Sequence, residues 1–229
     1  MCTPKMTRYV LLMTAAILLG GCESQPRELS LSTEESFDGL RQVKNTLAHR
    51  VWVREGLDLS RYDGLMLQGA GIKYRMEEAS PGSVTARRSR SEFPVTPRAR
   101  ERLREIAKEV FTAELKRSEQ FRFTDTAGSS VVLIEAALID VVSFVPPDNV
   151  GRSDVFLSRV GEATLVVQVS DSQTGSALAR MVDRRAAAPA ISGQRSSRPL
   201  NEAEVRRLLQ RWARQLRTGI DTLHSEVIQ

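Results

Sequence analysis

Residues 161–184 read GEATLVVQVSDSQTGSALARMVDR, and this stretch decides the fold class. Apolar and polar residues alternate from Gly161 to Asp171, as in a strand that faces the core on one side and solvent on the other. In the turn that follows, Asp171 offers local hydrogen bonds and Gly175 tolerates a positive φ. The chain then returns over residues 177–184, so the sequence predicts an antiparallel β-hairpin.

A second strong strand signal precedes the hairpin. Residues 131–145 read VVLIEAALIDVVSFV, a nearly continuous apolar run rich in Val and Ile. Because Gly128 precedes the run and two prolines follow it, the run predicts a central strand. Glu135 and Asp140 interrupt it five positions apart, and side chains alternate along a strand, so we expect them on opposite faces. They would then not form a paired-carboxylate acid–base site.

Two segments earlier in the chain carry weaker signals for secondary structure. Residues 62–74 predict a strand with two leucines on one face, in which Gly69 and Gly71 allow a bulge. In residues 37–53, four apolar residues follow helical spacing without a clear stop signal, which leaves the type of element open: Leu40, Val43, Leu47 and Val51.

Two amphipathic helices are predicted. Thr96 is a good N-cap, Pro97 suits the first helical position, and an apolar stripe continues to about Ser118. Near the end of the chain, Asn201 is predicted to cap a second helix, with a glutamate at the capping-box position. A helix lying on a membrane surface would carry a similar stripe. Trp212 lies centrally in that stripe, which favours packing against a sheet.

Together these segments predict an α+β fold, with a largely antiparallel sheet of four or more strands and both helices on one face. We expect a single domain over residues 37–229, because domains commonly contain about 100–200 residues. A hydrophobic content of 41% and a charged content of 27% fit a globular protein. They exclude a disordered chain and a polytopic membrane protein.

Residues 1–21 predict a signal peptide. Lys5 and Arg8 precede an apolar run of 11 residues, 9–19. This run is too short to cross a bilayer core, which needs about 20 residues. Loss of the signal would lower the net charge from +5 to +3, which is weak evidence for a polyanionic partner.

The apolar run ends in Leu19-Gly20-Gly21-Cys22, which resembles the lipobox of bacterial lipoproteins. The resemblance implies cleavage before Cys22, a diacylglyceryl group on its sulfur and acylation of its amine, typically with palmitate. Glu23 stands where enteric bacteria use aspartate to retain lipoproteins in the inner membrane. We therefore expect anchoring to the outer membrane, facing the periplasm. The alternative is an ordinary secretory signal that ends near a cysteine.

The residues after the lipobox predict a flexible tether. Residues 22–36 are polar and short of apolar anchors, so they would link the lipid to the domain. Since Cys2 leaves with the signal and Cys22 is modified, the mature chain has no cysteine pair for a disulfide.

One loop concentrates positive charge. Residues 79–94 are rich in Ser, Pro and Arg, and Arg87, Arg88 and Arg90 form the densest charge run outside the helices. They are candidates for contact with an anionic surface such as lipid headgroups. The alternative interpretation is a solvated loop.

Recognised catalytic motifs are absent from the sequence. The only two histidines, His49 and His224, lie far apart in the chain, and few cysteines remain for a zinc site. We expect no metal, no cofactor and no nucleic-acid partner, and we expect that the protein is not an enzyme.

Beyond the lipobox, three stretches resemble a family of bacterial lipoproteins known only as domain of unknown function three-three-one-three. They are residues 37–40 (FDGL), 58–63 (DLSRYD) and 161–163 (GEA) running into 171–175 (DSQTG). The resemblance spans about residues 35–185. It implies location and domain type, and it assigns no activity or site residues.

The expected function is that of a non-enzymatic lipoprotein of the bacterial cell envelope, an assembly or accessory factor that binds another envelope component. Its partners would be the membrane, through Cys22, and other envelope proteins. The alternative is a lipid- or glycan-processing enzyme that uses Asp140 or Asp171 with a distant histidine, His49 or His224. A deep pocket joining such a pair would favour the enzyme, and a bare sheet edge would favour the binding protein.

Overall fold

An eight-stranded sheet with two helices on one face forms the body of the protein. The computed structural model describes residues 30–75, 92–146, 154–189 and 193–225. Its elements in chain order are β1 (Ser30–Glu35), β2 (Leu40–Lys44), β3 (Arg50–Arg54), β4 (Gly64–Tyr74), α1 (Pro97–Leu115), β5 (Arg122–Phe123), β6 (Val131–Ser143), β7 (Phe156–Leu157), β8 (Gly161–Asp171), β9 (Ala177–Ala187), β10 (Gln194–Arg195) and α2 (Arg198–Ser225).

The strand order in the large sheet is β1-β2-β3-β9-β8-β6-β4-β5, and β7 pairs with β10 in a separate ribbon. Neighbours in the large sheet are antiparallel except at β6–β4 and β4–β5. Parallel strands need a long crossover, and α1 lies within the one that joins β4 to β6. The predicted α+β class with a largely antiparallel sheet is confirmed.

The predicted hairpin and central strand form the middle of this sheet. Strands β8 and β9 pair from Gly161 opposite Ala187 to Ser170 opposite Ala177. Strand β6 pairs with β8 on one side and with β4 on the other, which makes it a central strand. Its inward side chains are buried together with those of β8 and both helices in one continuous core.

Strand β4 contains a bulge of the kind that Gly69 and Gly71 allow. The register with β6 shifts between Gly69 and Gly71, so Ala70 is an extra residue in β4, and Gly71 has a φ of +111°. Because one extra residue reverses the alternation, Leu65 before the bulge and Tyr74 after it both face the core.

Helix α1 begins as predicted. The Thr96 hydroxyl accepts a hydrogen bond from the Ala99 amide at 3.3 Å, and Pro97 is the first helical residue. The helix ends at Leu115, and its buried stripe packs on the sheet: Ile106, Val110, Phe111 and Leu115.

The predicted start of α2 at Asn201 is wrong. The helix begins at Arg198, and the Asn201 amide already donates to the Ser197 carbonyl at 2.8 Å, a helical bond. The Asn201 side chain donates instead to Ser196 Oγ. Pro199 lies in the first turn, where a missing amide hydrogen leaves no bond unmade, so the helix extends three residues further back.

The two helices lie side by side and run parallel. Ion pairs join residues that advance together along both helices: Arg102–Glu202, Glu109–Arg206 and Glu114–Arg217. Within the part of the chain that the structure describes, neither helix has the length and apolar character needed to cross a membrane.

The segment 37–53, which the sequence left open, forms strands. Val43 in β2 lies opposite Val51 in β3, and both contact the core, whereas Leu47 is exposed in the intervening turn. Val43, Leu47 and Val51 are four positions apart because they lie in one strand, the turn and the next strand. This spacing matches that of a helical stripe, but the residues do not form a helix.

The tether predicted over residues 22–36 is too long at its C-terminal end. Residues 30–35 form strand β1, which pairs with β2 at Ser30 opposite Lys44 and at Leu31 opposite Val43. The sheet therefore begins before residue 37. The polar composition of β1 reflects its place at the sheet edge, where few side chains are buried.

The sheet has two distinct ends. Strand β1 begins and β2, β4, β6 and β9 end at one side, which we call the Ser30 end. Both helices also begin there, because α1 follows β4 in the crossover and α2 is parallel to α1. The turn between β8 and β9 marks the opposite side, the Asp171 end.

Replacing Trp212 tests the packing of α2. The side chain is 0% exposed in the centre of the buried stripe. We expect Trp212→Ala to lower the free energy of unfolding by about 3–5 kcal/mol, because it leaves a large cavity. Thermal or urea unfolding measures the change. Arg211→Ala, on the exposed side of the same helix, is the control and should change it little; equal effects of both substitutions would contradict the packing.

Candidate functional site

The candidate contact residues from the sequence, Cys22, Arg87, Arg88 and Arg90, lie outside the described residues. Their predicted roles, lipidation and anionic-surface contact, stay predictions.

Glu135 and Asp140 lie on the same face of the sheet, so the expectation of opposite faces is wrong. The register of β6 with β8 shifts between Ile139 and Val142, and Asp140 has a φ of 54°. This bulge adds one residue and reverses the alternation after it. The sequence did not indicate it, because neither glycine nor proline is present there.

Asp140 is held by arginines. Its two oxygens accept hydrogen bonds from Arg75 Nε and Nη2 at 2.6 and 2.7 Å, and Arg184 lies 3.5 Å away. The hydrogen bonds from Arg75 lower the pKa of Asp140 and outweigh the opposing effect of burial. The carboxylate therefore stays charged and links β4, β6 and β9 on the face away from the helices.

The Asp171 side chain accepts hydrogen bonds from its own turn. It accepts hydrogen bonds from the Thr174 and Gln173 amides at 2.8 and 3.0 Å and from the Tyr62 hydroxyl at 2.9 Å. The Thr174 amide is the main cause of the lowered pKa of Asp171. The carboxylate fixes the turn and ties it to residue 62, the tyrosine that precedes β4.

The enzyme alternative requires Asp140 or Asp171 to lie against His49 or His224. Among the described residues, these side chains have other partners. Asp140 and Asp171 bind arginine, tyrosine and backbone groups, as described above. His49 contacts a different aspartate, Asp183, and His224 packs edge-on against Phe121 with 5.1 Å between ring centroids.

The family-like stretches meet at the Asp171 end. Tyr62 of the second stretch donates to Asp171 of the third. Asp38 of the first stretch pairs with Arg180, and its neighbour Gly39, with a φ of +77°, lies beside Arg54. An open depression adjoins them, lined by Arg54, Arg61, Ser129, Asp171, Thr174 and Ser176.

The two arginines that line this depression donate hydrogen bonds to other groups of the fold. Arg54 Nε donates to the Ala177 carbonyl at 2.8 Å, and Arg61 Nη2 donates to the Tyr62 hydroxyl at 2.8 Å. These bonds join the end of β3 to the start of β9 and hold the segment before β4 against the turn. The contacts of the three stretches therefore stabilise the Asp171 end of the sheet.

Sequence reasoning missed Asp183, the centre of a buried polar network. The residue is 1% exposed. Its Oδ1 accepts from the His49 amide at 3.1 Å and lies 2.7 Å from His49 Nδ1. Its Oδ2 accepts from Trp212 Nε1 at 2.8 Å and from Arg185 Nε. One signal was available, since Asp183 continues the inward-facing alternation of Ala179 and Met181.

The network fixes three elements relative to one another. Asp183 belongs to β9, Trp212 to α2 and His49 to the turn between β2 and β3. Burial opposes ionisation, but hydrogen bonds from Arg185, His49 and Trp212 outweigh it and lower the pKa of Asp183. A carboxylate with both oxygens occupied by internal donors stabilises the fold and has no free lone pair aimed at a substrate.

In residues 30–75, 92–146, 154–189 and 193–225, no three His, Cys, Asp or Glu side chains are grouped so that they could hold a metal ion.

The most distinctive open feature is the edge of β4. Strand β5 pairs only with Gly64 and Leu65, and no other described strand lies along the rest of β4 on that side. Residues 68–71 (QGAG) are exposed there. This edge presents main-chain groups flanked by small side chains, a geometry that accepts another strand.

Acid unfolding tests the Asp183 network. A carboxyl whose pKa is lower in the folded state contributes stability that is present above its unfolded pKa, about 3.9, and is lost as pH falls through the folded value. We expect the wild type to lose stability below about pH 4. Asp183→Asn should be destabilised by about 3–5 kcal/mol at neutral pH, because Arg185 loses its buried partner.

The same substitution should flatten the acid dependence. Urea unfolding at pH 7 and at pH 3–4 measures both effects, and Asp125→Asn, at an exposed position, is the control. A variant that keeps wild-type stability at pH 7 would show that the network does not hold β9 to α2.

Three of the solved structures to which this chain is similar share little sequence with it. PelC from Paraburkholderia phytofirmans, crystallised as a dodecamer, is 14% identical with a TM-score of 0.35, over 73% of this chain and 96% of that one. Protein XCC0632 from Xanthomonas campestris is 13% identical with a TM-score of 0.38, over 72% and 86%. A neuraminyllactose-binding hemagglutinin homolog from Helicobacter pylori is 7% identical with a TM-score of 0.32, over 73% and 85%.

No curated protein matches the chain significantly. A family model described as "Protein of unknown function (DUF3313)" matches residues 30–216. The match extends beyond the 35–185 expected from the motifs, because it includes β1 and most of α2. The family resemblance seen in the sequence is therefore confirmed: the chain belongs to the DUF3313 family of proteins of unknown function.

Proposed function

We propose that this protein is a non-enzymatic lipoprotein of the bacterial cell envelope that binds an extended segment of another envelope protein at the open edge of β4. Its mature chain would be anchored through Cys22 in the outer membrane and face the periplasm. The role would be that of an assembly or accessory factor.

The observation that carries this proposal is that, among the described residues, no strand pairs with the outer side of β4 beyond Leu65. An unpaired strand edge is a hazard in a monomeric protein, because it can pair with any other strand. The β4 edge is long and lies beside the central strand β6, so it is well supported from within the sheet. An added strand would make main-chain hydrogen bonds, which do not depend on the partner's sequence.

The bulge gives this edge selectivity. Ala70 interrupts the regular ladder, and the register shifts again between Ile72 and Tyr74. Bulges bend a strand and restrict which partners can follow it. Exposed Gly69 and Gly71 leave room for a partner backbone to approach closely.

The use of the acidic groups supports a binding role over catalysis. The carboxylates of Asp140, Asp171 and Asp183 accept hydrogen bonds from other groups of the fold. Their lowered pKa values keep them charged, which does not suit a general acid near neutral pH.

The membrane anchor is supported by the sequence of the lipobox and by the position of the sheet. Strand β1 begins at Ser30, eight residues after Cys22. The segment that carries Arg87, Arg88 and Arg90 lies between Arg75 and Glu92, which form an ion pair at the Ser30 end. Contact of those arginines with an anionic surface stays a prediction.

Removal of the lipidated cysteine tests the anchor. Cys22→Ser deletes the only thiol that lies directly behind the apolar run, so we expect loss of fatty-acid incorporation and release of the protein from the membrane fraction, or an uncleaved precursor. Metabolic labelling with a fatty acid and membrane fractionation measure these effects. Cys2→Ser should keep the label, since that residue leaves with the signal; label that persists in Cys22→Ser would contradict the anchor.

Site-specific crosslinking tests the β4 edge. A photoreactive residue at the exposed position of Gln68 should give a discrete crosslinked product in intact envelopes. Ala70→Lys should abolish that product, because a charged side chain on an edge hinders strand addition. Electrophoresis after irradiation measures the yield.

The matched control is Ala113→Lys, the same change at an exposed position of α1, which should leave the product intact. A product that survives Ala70→Lys, or equal loss with both substitutions, would contradict recognition through this edge.

A further inference from the structure

We propose that the turn between β2 and β3, residues 44–50, is a second membrane contact, with Leu47 inserted among the lipids and Lys44 and Arg50 at anionic headgroups. This inference rests on the proposed lipid anchor at Cys22. It adds an orientation of the domain, with the Ser30 end towards the bilayer.

The turn lies next to the point where the anchored chain joins the sheet. Ser30, the first residue of β1, is directly opposite Lys44, the last residue of β2. Ser30 follows Cys22 by eight positions, and an extended chain spans at most about 3.6 Å per position. Ser30 therefore lies within roughly 29 Å of the acylated cysteine, and the turn lies beside it.

The side chains of the turn suit an interface of lipid and water. Leu47 is 70% exposed at its tip. Lys44 and Arg50 flank it, are exposed, and form no ion pair among the described residues. An apolar side chain gains by entering the acyl boundary, while cations beside it remain at the phosphates. Each cation near an anionic leaflet contributes further attraction.

Internal contacts hold the turn in shape. The His49 amide and ring bind the buried Asp183, and Ala48 is buried in the core. Thr46 Oγ1 donates to the Ala48 carbonyl at 3.0 Å, and Asn45 adopts a φ of 61°. Leu47 is thus presented outward by a fixed turn, so insertion would not require the domain to rearrange.

The rest of the Ser30 end is compatible with the same orientation. Phe156 in β7 is 62% exposed, and Leu200 in the first turn of α2 is also exposed. The positive ends of both helix dipoles point to this side, because α1 and α2 begin there.

The opposite end of the sheet has an exposed aromatic in an acidic setting. Phe37 is 96% exposed, but it follows the exposed Glu34 and Glu35, while the neighbouring Asp38 is paired with Arg180. An anionic membrane would repel these carboxylates. Phe37 also lies beyond the far end of β1, about 20 Å from Ser30 for a six-residue strand. It is therefore the matched reference position.

Spin labelling of the full, lipidated protein tests the orientation. Acylated Cys22 has no free thiol, so Leu47→Cys and Phe37→Cys each provide one labelling position. The labelled proteins would be reconstituted into vesicles of phosphatidylethanolamine and phosphatidylglycerol. We expect the nitroxide at residue 47 to collide several-fold less with a water-soluble nickel reagent, and more with oxygen, than the nitroxide at residue 37.

A charge variant provides a second measurement. In the Leu47→Cys protein, replacing both cations, Lys44→Gln with Arg50→Gln, should increase access of the nickel reagent to the label. Arg41→Gln with Arg54→Gln is not suitable for comparison, because those arginines have internal partners. Arg211→Gln with Arg214→Gln, on the exposed side of α2, is the control and should leave access unchanged.

Flotation of the vesicles separates the two proposals. Protein that floats with the vesicles while the label at residue 47 stays as accessible to water as that at residue 37 would overturn the membrane contact and leave the anchor in place. Protein that does not float would overturn the anchor, and the membrane contact with it. Flotation with protection confined to residue 47 supports both.

Discussion

The buried Asp183 carboxylate is the interaction on which the arrangement of this protein depends. It lies in β9, at the centre of the sheet, and accepts hydrogen bonds from Trp212 of α2 and from His49 in the β2–β3 turn. A buried charge is tolerated only with full pairing, so these partners must be in place together. The helix layer, the central strands and the N-terminal hairpin are thereby fixed relative to one another.

Two bulges decide what the sheet presents away from the helices. The extra residue Ala70 in β4 and the irregularity around Asp140 in β6 reverse the alternation at nearly the same level of the sheet. As a result, inward positions stay apolar to the ends of both strands, while Arg75, Asp140 and Arg184 form a charged cluster on the opposite face. The same bulge in β4 lies where no described strand pairs with its outer side.

The two ends of the sheet differ in chemistry. At the Asp171 end, a hydrogen bond from Tyr62 to Asp171 joins two of the family-like stretches, and Glu34 and Glu35 near Phe37 face solvent. The Ser30 end combines exposed Leu47 with Lys44 and Arg50, which form no ion pair among the described residues, and with Ser30, which follows Cys22 by eight positions. A lipid anchor attached at one end of the sheet would favour one orientation of such a domain, and the proposed binding edge of β4 would then lie at its side.

The sequence by itself determined the hairpin β8–β9, the central strand β6, the capped start of α1 and the family, because each depends on local periodicity or on a short motif. It misassigned the start of α2 and the extent of β1, since a proline in the first helical turn and a polar edge strand carry weak local signals. Only the tertiary structure decided that Asp183 is buried and paired with Trp212 and His49, that Glu135 and Asp140 share a face, and that no described strand pairs with the outer side of β4 beyond Leu65. These features depend on strand order, register and contacts between residues far apart in the chain, such as His49 and Asp183, 134 positions apart, which no local pattern specifies.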